Sequence, residues 1–154
     1  MRKDEVRVQV TMAVRACIEK KAQDISILRL DAAASGFTDY FVICSGANQR
    51  QVEAIAEAVD EKLSKAGFEP SGVEGRRQAE WVLLDYVDFV VHIFSESARR
   101  FYDLERLWKT ATRVELADLE KPEPKKPIAK KTVATKIVSK KAVRRTQAMR
   151  TRKP

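Results

Sequence analysis

The chain has 154 residues, 30 of them Lys or Arg and 22 Asp or Glu, and this length leaves room for one domain and little more. No run approaches the roughly 20 apolar residues that cross a bilayer, and the charged start MRKDEVRVQV reads as neither a signal nor a transit peptide. The formal charge of +8 divides unevenly: residues 121–154 hold 13 bases and one acid, Glu123, for a net of +12, while residues 1–120 hold 17 bases and 21 acids, for a net of −4. The reading is a mildly acidic globule with a strongly basic tail.

Residues 4–22 read as a helix, because Val6, Val10, Ala13, Val14, Cys17 and Ile18 recur at spacings of three and four. Lys20 and Lys21 suit its C-terminal end. Residues 25–30 alternate loosely and form a strand, 32–38 with Gly36 form a loop, and 39–44 form a second strand. Asn48 caps the next helix, with Gln51 at N3 in a capping-box arrangement. Val52, Ile55, Ala56, Val59, Leu63 and Ala66 make its buried stripe, and Gly67 stops it. Pro70 and Gly72 confine any strand in 68–74 to a short edge, and 75–79 is a polar loop.

Residues 81–84 and 89–94 are β-branched and aromatic, and Asp85-Tyr86-Val87-Asp88 joins them as a hairpin. Their nearly continuous apolar character predicts a sheet covered on both faces. A third helix follows, capped by Ser95 or Ser97. Phe101, Leu104, Leu107 and Trp108 fall on its buried stripe, with Arg99, Arg100, Asp103 and Arg106 off it. The order helix, strand, strand, helix, short strand, strand, strand, helix predicts a mixed α/β layer structure over residues 1–118. Pro122, Pro124 and Pro127 cannot continue a helix, and beyond them Ala, Val, Thr and Lys run on without an aromatic residue. Residues 119–154 therefore read as a disordered tail.

The nearest approach to a phosphate site is Ser45-Gly46-Ala47-Asn48-Gln49-Arg50, at a strand-to-helix turn. A nucleotidyl transferase would need a Gly-Ser turn and paired carboxylates to hold metal ions. Here Ala47 follows Gly46, and Asp85 and Asp88 sit around a turn, so a helix cap and turn aspartates are the simpler reading. His92, the sole histidine, lies mid-strand and reads as a core residue rather than a base. Cys17 and Cys44 lack CxxC spacing and read as buried free thiols, with a disulfide or metal pair as the alternative. No catalytic residue, cofactor or metal cluster is implied, and the compartment is reducing and cytoplasmic.

Trp108 and Phe101 read as core. Trp81 and Tyr102 border Glu80, Asp85, Arg99, Asp103 and Glu105, and a large amphipathic ring in a charged rim resembles a protein-binding hot spot, with core packing as the other reading. In the tail, Lys125, Lys126, Lys130, Lys131, Lys140, Lys141, Arg144 and Arg145 suit RNA phosphate contact or simple solubilisation.

Several stretches carry a resemblance: Asp39-Tyr40-Phe41-Val42-Ile43, Gln51, Glu74-Gly75, Glu80-Trp81-Val82-Leu83-Leu84-Asp85-Tyr86, Val91-His92-Ile93-Phe94, and Arg99-x-Phe101-Tyr102-x-Leu104-Glu105-x-Leu107-Trp108. Together, over about residues 5 to 115, they resemble the ribosomal silencing factor family, also called Iojap-like. The resemblance implies a mixed, about five-stranded sheet packed with helices, similar to nucleotidyltransferase folds. It implies binding to the large ribosomal subunit through its fourteenth protein, and steric blocking of the small subunit, which represses translation. Trp81, Asp85, Tyr102 and Glu105 would carry the contact, with Arg99 and Arg100 at its rim. A homodimer is one form open to the free protein. The alternatives are a nucleotidyltransferase-like enzyme and a general RNA binder acting through the tail.

Overall fold

A computed structural model describes residues 2–31, 36 and 38–121. The expected tail from 122 onward, and most of the loop at 32–38, lie outside the described residues. Helix α1 (Arg2–Glu19) leads into β1 (Gln23–Arg29) and β2 (Tyr40–Gly46), then α2 (Gln49–Lys65). Strands β3 (Gly72–Glu74), β4 (Trp81–Asp85) and β5 (Phe89–Ser95) follow, with helices α3 (Glu96–Tyr102) and α4 (Leu104–Leu107), strand β6 (Thr112–Val114) and helix α5 (Leu116–Glu120). The mixed α/β expectation holds. The sheet has six strands rather than about five, in the order β3-β4-β5-β2-β1-β6. The sixth, β6, is three residues long and has two exposed polar positions, so its sequence carries no strand pattern; antiparallel pairing to residues 27–29 of β1 makes it a strand.

β2 and β5 run parallel at the centre, while their outer neighbours pair antiparallel. Every residue of β2 is buried, and all of β5 except Ser95. On one face, α1 and α2 pack against Ile27, Val42, Cys44, Val82, Leu84, Val91 and Ile93. On the other, Leu28, Phe41, Ile43, Val90 and Phe94 meet Ala98 and Leu104. The hairpin forms as expected, with Val87 at φ 71° in its turn and the Val87 N–H donated to Asp85 Oδ1 at 2.8 Å. Coverage of both faces stops at β5. In β4, Val82 and Leu84 are buried, but Trp81, Leu83 and Asp85 are half-buried, because α3 and α4 are short and do not reach across it.

Asn48 caps α2 as expected, accepting from Gln51 N at 2.8 Å. Gln51 departs from a strict capping box: its Oε1 accepts from Ala47 N, and its Nε2 donates to the carbonyls of Lys20 and Lys21, tying the end of α1 to the start of α2. Ile18 and Ala66, expected on buried stripes, are both exposed; Ala66 is the C-cap of α2. Arg7 donates to the carbonyls of Asp118, Leu119 and Lys121, fastening α5 to α1.

Gly75, at φ +83°, turns the chain from β3 toward β4, and a Cβ there would run into the Trp81 carbonyl oxygen. Gly75→Ala is therefore expected to destabilise the fold by about 1–3 kcal/mol from the backbone conformation alone. Chemical denaturation measures this, and an unchanged midpoint would contradict it.

Candidate partner-binding face

The half-open face of β4 is built on alternation. Trp81, Leu83 and Asp85 point to one side of the strand, opposite Phe94, His92 and Val90 of β5. Trp81 lies at the centre of a ring cluster, with centroids 4.7 Å from Tyr102, 5.0 Å from Phe94 and 5.9 Å from His92. Its indole N–H donates to His92 Nδ1 at 3.1 Å. That bond assigns the imidazole proton to Nε2. Phe41 meets the same imidazole edge-on at 4.6 Å.

His92 is 4% exposed, and burial pushes its pKa down to about 3. The ring is neutral and supports Trp81, in agreement with the core reading. A base whose pKa is depressed in the folded state makes the fold less stable as pH falls below the unfolded value, because only the unfolded chain takes up the proton. With an unfolded value near 6.5, the loss between pH 7 and pH 5 is about 2 kcal/mol. Glu105 and Glu19, whose pKa values are lowered, act at more acidic pH. Denaturation curves at pH 7 and pH 5 should show this loss in the wild-type chain and lack it in His92→Gln. Equal pH dependence in both would refute the assignment.

Beyond Trp81 the second layer is held by a polar knot. Arg99 grips Glu105 with two hydrogen bonds, Nε to Oε1 at 3.0 Å and Nη2 to Oε2 at 3.1 Å, and its Nη1 donates to Ser45 of β2 at 2.8 Å. Ser26 of β1 donates to Glu105 Oε2 at 2.6 Å. Burial opposes ionisation of Glu105, but the Arg99 guanidinium and the Ser26 hydroxyl outweigh it and hold the carboxyl below its ordinary pKa. Ser95 caps α3 by accepting from Ala98 N at 3.1 Å, and donates to Glu80 Oε1 at 2.7 Å.

The expected single third helix breaks at Asp103, which adopts φ 45° and ψ 54°. Aspartate tolerates this left-handed conformation better than most residues. The break turns Leu104 inward, with Trp108 packed edge-on against Phe41 at 5.4 Å. It leaves Phe101 81% and Leu107 74% exposed, so the expectation that Phe101 is core is overturned. Tyr102 is 46% exposed and lies between Trp81, whose ring is tilted against it, and an edge-on Phe101 at 5.0 Å. The structure thus places Trp81, Asp85 and Tyr102 along one surface, with Arg100 exposed on α3 and Arg99 and Glu105 half-buried beneath the corner. Neither the outward turn of Phe101 and Leu107 nor the support from His92 is apparent in the spacing of residues. An aspartate inside a helical pattern is the one local signal of the break.

The Asp85 carboxylate accepts its own turn's N–H, and the described residues contain no group of three His, Cys, Asp or Glu able to hold a metal. Cys17 and Cys44 are free, buried thiols with sulfurs 3.9 Å apart. No helix among the described residues is long and apolar enough to cross a membrane.

The family model described as "Ribosomal silencing factor during starvation", RsfS, matches residues 3–141, so the match runs into the basic tail, past the limit near 115 set by the quoted motifs. The chain is 40% identical over 109 residues to the ribosomal silencing factor RsfS of Bacillus subtilis, covering 71% of this chain and 89% of that one. It is 32% identical over 102 residues to the chloroplastic protein Iojap of Zea mays, covering 66% and 44%. Among solved structures, a crystal structure of a Chromobacterium violaceum protein superposes with a TM-score of 0.62 at 35% identity, covering 66% of this chain and 83% of that chain. With a family-model match over most of its length and a relative at 40% identity, this chain belongs to the ribosomal silencing factor family, the Iojap-like proteins.

Proposed function

We propose that the domain docks on the large ribosomal subunit through that subunit's fourteenth protein, and that its bulk then keeps the small subunit from joining. The observation that carries this reading is the pair of half-buried Trp81 and exposed Tyr102, their rings 4.7 Å apart on the face that the second layer leaves open. Rings of this kind, half desolvated and already held in place, lose little entropy on docking and are enriched at the centres of interfaces. Glu80 and Asp85 flank them, and residues 1–120 are net acidic, which complements a basic ribosomal protein. Arg99 and Glu105 are already partnered inside the chain, so in this reading they hold the corner in shape and reach the partner only at its rim, beside Arg100. The mechanism is occlusion and asks nothing of a catalytic group.

The full chain should co-sediment with large subunits and lower the yield of whole ribosomes. Tyr102→Ala is the clean variant, because that side chain is half exposed. It should weaken subunit binding by about 2 kcal/mol, roughly thirtyfold, with little change in the thermal melt. Trp81→Ala removes the hydrogen bond to His92 as well, and should lower both binding and stability. Undiminished subunit joining with wild-type protein in saturating excess would end this reading.

A further inference from the structure

The open face is electrically two-sided about its aromatic strip. On the β4 flank stand Glu80 and Asp85. On the α3–α4–β6 flank the exposed side chains of residues 100–113 include Arg100, Arg106, Lys109 and Arg113, with Asp103 as the exposed acid. Glu105, the other acid of that segment, is committed to Arg99. Arg100, Arg106 and Lys109 make no ion pair among the described residues. This cationic ridge belongs to a domain whose net charge is −4. Two large apolar side chains, Phe101 at 81% and Leu107 at 74% exposure, stand among the cations.

We propose that this ridge is an RNA-binding surface: Arg100, Arg106, Lys109 and Arg113 lie along a phosphate backbone, and the ring of Phe101 stacks on a base. The inference rests on the ribosomal reading above and adds to it a second contact of different chemistry. Cations without an acid partner in an ion pair, as Arg100, Arg106 and Lys109 are, release counterions from a phosphate backbone, Arg113 adds charge beside Glu105, and an exposed ring among them offers a stacking platform that tolerates any base. An acidic protein patch would satisfy the cations but has no particular use for a bare ring beside them. The domain would then sit across a boundary, its acidic flank on a basic protein and its basic flank on ribosomal RNA. The break at Asp103 separates Phe101, exposed on α3, from Leu104, buried on α4.

The test uses the full chain, so that the basic tail is the same in every sample. Affinity for purified large subunits is measured against salt concentration for the wild type, Arg106→Glu/Lys109→Glu, Phe101→Ser, and the control Arg50→Glu/Lys65→Glu, whose exposed sites lie on α2 in the opposite layer. The ridge variant should bind at least tenfold more weakly at low salt, and its slope of log affinity against log salt should flatten by about 2, one for each phosphate that is no longer neutralised. Phe101→Ser should weaken binding with an unchanged slope. Ultraviolet crosslinking of the wild-type complex should leave a nucleotide adduct on the peptide that contains Phe101. A ridge variant matching the control in affinity and slope overturns the inference while leaving the docking reading intact, provided Tyr102→Ala still weakens binding. So does a Lys109 crosslink to an acidic protein with no nucleotide adduct. A wild-type chain that fails to sediment overturns both.

Discussion

The parallel pairing of β2 with β5 is the constraint on which the rest of this molecule depends. Both strands are apolar on both faces, so each face must be covered for the pair to be stable. One cover is generous: α1 and α2 are long, each buries a row of apolar side chains, and they are joined end to end through Gln51. The other is made of two short helices and reaches only from β5 to β1. What the second cover does not reach is the outward face of β4. The exposed aromatic strip is thus a by-product of unequal layers around a doubly buried centre.

A short layer needs more than apolar contact to stay in place, and the Arg99–Glu105 pair supplies it. The guanidinium spans from Ser45 on β2 to Glu105, and Glu105 reaches Ser26 on β1. A partly buried ion pair of this kind adds stability only when further donors and acceptors are met, and here Ser45 accepts from Arg99 and Ser26 donates to Glu105. The same knot fixes where the chain leaves α3. The left-handed Asp103 then sends Leu104 down onto the sheet and Phe101, Tyr102 and Leu107 outward. Support and exposure are therefore produced by one arrangement, and a substitution at Arg99 would affect any docking through shape before it affected it through charge.

His92 serves a similar double purpose. Buried among Phe41, Trp81 and Phe94, it cannot carry a proton near neutral pH, and it commits its one acceptor to the Trp81 indole. Its role is to orient a neighbouring ring. A lone histidine inside a strand is often of this kind, and the partner that makes it so lies two strand positions away on the facing strand, a placement that only the β4–β5 register reveals.

Much of this protein was legible without coordinates. The apolar spacing of Val6, Val10, Ala13, Val14 and Cys17 determined α1, Asn48 and Gly67 bounded α2, and the two apolar runs around Asp85-Tyr86-Val87-Asp88 determined the hairpin. These are local effects: periodicity, capping and turn chemistry act within a few residues and are written in order along the chain. Trp81 and Tyr102 could be singled out by their charged neighbours, but spacing could not say whether they were surface or core. That depended on how far the second layer extends, which is a property of two elements together. The stripe through Phe101, Leu104 and Leu107 failed for a related reason. It assumed one helix axis, and the break at Asp103 is held by Arg99, which bonds to Glu105 and to Ser45 of β2, and by Glu105, which accepts from Ser26 of β1, so that the two short helices are tied to strands far away in sequence. β6 was invisible because three residues, two of them polar and exposed, form a strand only where β1 offers an unpaired edge. Local chemistry along the chain determined which elements form, and the tertiary structure alone decided which of their side chains remain exposed, because exposure depends on what the neighbouring layer leaves uncovered.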